Sequence, residues 1–119
     1  MSEEISWCVE LRLRPGKLEQ FRALTGAMVE ATRAEQGVLS YQRFIADDGS
    51  CIHVYERYEN AAAAAAHVHG FAEKFGADYS ALVERTRFTV YGAPSNALRT
   101  LLDRYGAVYM KPFGDLDYW

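Results

Sequence analysis

Two cysteines and three histidines in 119 residues leave little from which to build a metal centre or a disulfide framework. Cys8 and Cys51 stand alone, without metal-ligand or redox spacing, and the chain opens without an apolar leader, which together predict a reduced, cytoplasmic protein. No run is both long and apolar enough to span a bilayer, so no membrane partner is expected. Basic residues are scattered through Arg12, Arg22, Arg33, Arg43, Arg57, Arg87 and Arg99, and the net charge is −3, so the electrostatic footprint of nucleic-acid binding is missing. A glycine-rich dinucleotide motif is also missing. The pair His67 and His69 would diverge by about 200° on a helix, so they cannot close on one ion, and neither a metal nor another cofactor is predicted.

What is there reads as one domain, long enough to bury roughly 65% of its unfolded surface without staples. Ile5, Trp7, Val9, Leu11 and Leu13 alternate with polar residues as a first strand that Pro15 and Gly16 end. Leu18, Phe21, Leu24, Met28 and Ala31 then follow a helical stripe that Gly37 stops. Asp48 and Gly49 mark a hairpin turn with positive backbone angles between strands Val38 to Ile45 and Cys51 to Tyr58. In the second of these, Ile52, Val54, Glu56 and Tyr58 share one face, which sets Glu56 among apolar neighbours. Asn60 caps an alanine-rich helix on which His67, Phe71 and Phe75 stack inward and His69 faces water. Gly76 allows a break, Asp78 a new cap, and Arg85 to Tyr91 returns to alternation as a fourth strand.

The order β, α, β, β, α, β predicts an α+β fold, a ferredoxin-like antiparallel sheet with two helices on one face. The opposite face would show Cys8, Tyr41, His53, Tyr55 and Tyr91 between charges, a mixture that suits a partner sheet and predicts a homodimer packed through it. Residues 1–92 make this domain and 93–119 extend it with a helix capped by Ser95, carrying Leu98, Leu101, Leu102 and Tyr105, and a strand from Ala107 to Met110. Phe113, Leu116, Tyr118 and Trp119 carry enough apolar surface to require docking, on this chain or on a partner.

Gly37-Val38-Leu39-Ser40-Tyr41, Val54-Tyr55-Glu56-Arg57-Tyr58 and the alanine-rich helix ending in His67 resemble the antibiotic biosynthesis monooxygenase superfamily of dimeric α+β barrels, including its quinol monooxygenase branch. The resemblance covers roughly Ile5 to Gly92, and the chain departs from many members in having Tyr58 in place of tryptophan and no clear second histidine along the helix. It implies a pocket between sheet and helices and, in enzymatic members, cofactor-free oxidation of an electron-rich phenol or hydroquinone by molecular oxygen. Such chemistry needs a base, a donor for growing negative charge and an apolar box. His67 is the candidate base, Tyr58 the donor and Glu56 the group that orients the imidazole, with Trp7, Phe71 and Phe75 as walls for a small aromatic molecule. Each has a plainer reading, a hydrogen-bonded core histidine, a paired carboxylate and ordinary core aromatics, and these together describe a non-catalytic dimeric barrel that binds an apolar ligand or serves a structural role. Haem degradation, a lesser alternative, would use His67 as axial ligand, but the first strand has no asparagine and Tyr58 stands where a tryptophan is needed.

Overall fold

A computed structural model describes residues 3–114. β1 (Ile5–Leu13) buries Ile5, Trp7, Val9 and Leu11 on one face, as its alternation requires. α1 (Leu18–Arg33) buries Phe21, Met28 and Thr32, while Leu18 in its first turn stays exposed. Gly37, with φ +83°, turns the chain into β2 (Val38–Ile45), which pairs antiparallel with β3 (Cys51–Tyr58). In the turn between them only Gly49 has a positive φ; Asp48 instead accepts from the Ser50 amide at 3.0 Å.

The Asn60 side chain accepts from the Ala63 amide at 2.9 Å and starts α2 (Ala61–Leu82). The expected break does not occur. α2 runs through Gly70 and Gly76 as one helix, and Asp78 lies exposed inside it rather than capping a second one. Its inward stripe continues from Val68 to Tyr79 and Leu82, and this tertiary packing overrides the weak propensity of the two glycines. β4 (Val83–Tyr91) follows at once, two residues earlier than its alternation suggests.

The sheet order is β2-β3-β1-β4 with antiparallel pairs throughout, extended at the β4 edge by β5 (Val108–Met110), which runs parallel to β4. The result is a five-stranded mixed sheet with helices against its inner face. The Ser95 hydroxyl caps α3 (Asn96–Asp103) by accepting from the Leu98 amide at 3.2 Å. Leu98, Leu101 and Leu102 of α3 are buried in the common core, so this helix docks on its own chain. The Tyr109 hydroxyl donates to Asp103 Oδ1 at 2.6 Å and ties β5 to α3. Phe113 is exposed, and Leu116, Tyr118 and Trp119 lie outside the described residues. Among the described residues no helix is long and apolar enough to cross a membrane.

Two bulges decide which side chains face the helices. In β2 the register shifts between Val38 and Ser40, so that Tyr41 opposes Glu56 and Arg43 opposes Val54. Tyr41 therefore points inward, which corrects its expected place on the outer face. In β4 the register shifts opposite Glu10 and Leu11, so that Arg85 pairs with Leu11 and joins the inner face although Arg87, two residues on, pairs with Glu10 on the outer one.

Candidate active site

Strand parity brings Trp7 of β1 and Glu56 of β3 side by side, since the two are directly paired, and Trp7 faces Val90 of β4 on its other side. The helical pitch of α2 lowers His67 onto this patch, and its ring, 5% exposed, lies 5.4 Å from the Tyr58 ring and 5.1 Å from that of Tyr41. His67 Nε2 is 3.3 Å from Glu56 Oε1, and Nδ1 is 2.9 Å from Oε1 of Glu35, which follows the end of α1. The same Glu56 Oε1 accepts the hydroxyl of Tyr58. A buried phenol, a buried carboxylate, an imidazole and a half-buried carboxylate thus form one connected chain.

The electrostatics follow from that arrangement. Burial alone would lower the pKa of His67, but Glu56 and Glu35 outweigh it, and the net shift is upward from 6.5. Two carboxylates beside the ring thus favour its protonated form to higher pH than in a free histidine. Tyr58 is pushed far above the ordinary phenol value, first by burial and then by the Glu56 charge. Its hydroxyl is committed to Glu56 and its side chain is fully buried, so it holds Glu56 in place and does not reach the space beside it.

That space is a cavity of about 50 Å³ on the measure in which ~10–15 Å³ holds one water. Trp7, Val9, Val54, Phe71 and Phe88 make its apolar wall, and Glu56, His67, Arg43 and Arg85 are its ionisable groups. The expected residues separate here: Trp7, Glu56, His67 and Phe71 line one cavity, whereas Phe75 lies along a neighbouring crevice beside Glu35 and His67. Sequence reading missed Glu35, Tyr41, Arg43, Tyr79, Arg85, Leu102 and Tyr105. Tyr79 had a signal, since it continues the spacing of four from His67 through Phe71 and Phe75. Leu102 and Tyr105 had one too, on the stripe of α3, whose docking in cis brings them to the cavity.

The donor set does not fit haem. Both ring nitrogens of His67 face carboxylates, leaving none free as an axial ligand. Among the described residues no group of three or more potential ligands could hold a metal ion.

The sequence profile of the antibiotic biosynthesis monooxygenase family matches residues 6–84, from β1 to the start of β4. No curated protein sequence matches significantly. Among solved structures, MupZ from Pseudomonas fluorescens superposes with a TM-score of 0.87 at 22% identity over 99% of this chain and 91% of its own, a span that takes in α3 and β5. Rv0793 from Mycobacterium tuberculosis gives 0.67 at 28% identity over 79% of this chain and 98% of its own. PA3566 from Pseudomonas aeruginosa gives 0.62 at 23% identity, covering 76% and 91%.

Proposed function

The chain belongs to the antibiotic biosynthesis monooxygenase family, and on that premise we propose that it oxidises a small aromatic phenol or hydroquinone with molecular oxygen in the cavity beside Glu56 and His67. The observation that carries this reading is the buried Glu56 and His67 pair beside an apolar wall of Trp7, Val9, Val54, Phe71 and Phe88. A phenol and oxygen give a quinone and water, so the four electrons come from the substrate and two protons must leave it. In this scheme Glu56 receives the phenolic proton and the His67 imidazolium steadies the phenolate as it gives an electron to oxygen. The two radicals join in a C–O bond, and the O–O bond then breaks with loss of the hydrogen on that ring carbon. This leaves the quinone and a water whose two hydrogens are that one and the phenolic proton returned by Glu56. Tyr58 and Glu35 are positioning residues that fix the carboxylate and the ring. Trp7 and Phe71 hold the substrate ring and exclude water, and the route uses protein groups alone.

The cavity is smaller than the range in which drug-sized ligands bind, so seating a ring requires side chains at the mouth to shift. Two subunits packed through the outer face, where Cys8, Tyr55, Phe44 and Tyr91 lie among charged residues, would leave both cavities on the helical side accessible. A second reading, a ligand-binding dimer without turnover, is favoured by one observation: both nitrogens of His67 and the hydroxyl of Tyr58 already have partners, as in a structural network.

An oxygen electrode separates the two. With a panel of hydroquinones and anthrone-like phenols the native protein consumes oxygen, and His67→Gln loses turnover by about 100-fold or more, the scale of a lost charge-stabilising group. A flat trace with every substrate selects the binding reading, and unchanged turnover in His67→Gln rejects the role assigned to that ring.

A further inference from the structure

The cavity holds a second set of charges that the oxidation scheme leaves unused. Arg43 and Arg85 both line it, brought to the inner face by the bulges in β2 and β4. Neither forms an ion pair among the described residues, whereas Arg12 and Arg57 on the outer face are paired with Glu84 and Glu4 at 2.9 and 2.8 Å. Nε and Nη1 of Arg43 are buried and have no hydrogen-bonding partner among the described residues. Both guanidiniums rest on tyrosine rings instead: Arg43 lies 4.2 Å from the centroid of Tyr41, and Arg85 lies 5.1 Å from Tyr105 and 5.8 Å from Tyr79.

A ring face fixes the plane of a guanidinium without using its N–H groups, so the donors on its edge stay available to a ligand. Buried donors without partners are uncommon in folded proteins and mark a place where a polar group is missing. The missing group is anionic, because a donor that carries charge gains most from a charged acceptor. It is also planar and small, because the fork of a guanidinium matches the two oxygens of a carboxylate and the cavity is narrow, with Trp7, Val9, Val54, Phe71 and Phe88 as an apolar wall.

We propose that Arg43 and Arg85 form an anion subsite in this cavity and that the ligand taken there is an aromatic ring bearing a carboxylate. The proposal rests on reading the cavity as a ligand site and narrows the substrate class from phenols in general to phenolic acids. The carboxylate would sit on the guanidiniums and the hydroxyl would face Glu56 and His67, so that the two charged ends of the cavity fix the direction in which the ring enters.

Titration calorimetry on the full chain tests it with 2,5-dihydroxybenzoate, its methyl ester and inorganic phosphate. The acid binds about tenfold tighter than the ester, as one charge-assisted hydrogen-bonded contact implies, and Arg43→Gln brings the acid down toward the ester. Arg85→Gln acts in the same direction and decides the matter alone if Arg43→Gln does not fold. Equal affinities of acid and ester in the native protein overturn the subsite, and so does an acid preference that survives both substitutions. Phosphate binding without binding of the acid overturns the aromatic carboxylate as ligand. Since binding is the readout, an acid preference that depends on the arginines stands even if no oxygen is consumed, and that second result sinks only the oxidation scheme.

Discussion

His67 stands between two carboxylates, and a ring so placed keeps its proton to higher pH than it does in the unfolded chain. A pKa raised on folding contributes stability that is complete below the ordinary histidine value of 6.5 and is lost as pH rises through the higher folded value. The urea midpoint of the native protein is therefore expected to fall as pH rises above about 6.5, and the fall is expected to be absent in His67→Gln. Parallel curves for the two proteins would contradict the pairing. Deleting the ring outright has a larger cost, since Glu56 then stays buried without its cation: His67→Ala is expected to lose about 3–5 kcal/mol and Tyr58→Phe about 1–3 kcal/mol in equilibrium unfolding. Losses below half a kilocalorie in both would mean that the network is open to water. At this scale sequence reading reached Glu56, Tyr58 and His67 because parity in β3 and pitch in α2 are local properties of the chain. It did not reach Glu35, which follows the end of α1, where no periodicity marks which way a side chain points.

Among the elements, the junction between α1 and β2 is the most constrained. Gly37 has φ +83°, and a Cβ built there would meet the Cβ of Ala63 in the first turn of α2 at 2.6 Å. Gly49 has φ +76°, but a Cβ there would meet open space. Gly49→Ala is expected to cost about 1–2 kcal/mol from backbone strain alone, and Gly37→Ala clearly more, because the helix must also move. Thermal unfolding of the two variants checks this, and equal losses would show that α2 yields freely at that contact. The bulges are the complementary case. Strand positions were legible from alternation, but a single extra residue in β2 and another in β4 reverse the faces beyond them, and nothing in the local pattern around Leu39 or Thr86 signals it. That is why Tyr41, Arg43 and Arg85 escaped a reading by parity. The glycines of α2 misled in the opposite direction, since their low propensity matters less than the inward residues on either side of them.

For the whole molecule, the order of elements was enough to specify the sheet and its helical layer, because few topologies satisfy short, right-handed connections. The mixed character of the sheet was not legible. β5 is only three residues long, and its direction depends on how α3 returns the chain to the β4 edge. The outer face leaves Phe44 and Tyr91 exposed beside Glu10, which lies 3.7 Å from His53 and 4.0 Å from Arg87. We expect sedimentation equilibrium to give twice the chain mass of 13.4 kDa, and Tyr91→Asp to return it toward the single-chain value. A native protein that sediments as one chain at micromolar concentration would remove the sheet-to-sheet dimer and leave the cavity unaffected.

The most direct test of the oxidation scheme follows the oxygen atoms. Turnover of a phenolic substrate under ¹⁸O₂ is expected to place one labelled atom in the quinone and the other in water, with Glu56→Gln, which cannot take up the phenolic proton, forming product at least about 100-fold more slowly. Label absent from the quinone, or labelled product formed equally fast by Glu56→Gln, would contradict a monooxygenase acting through the carboxylate and imidazolium of this cavity.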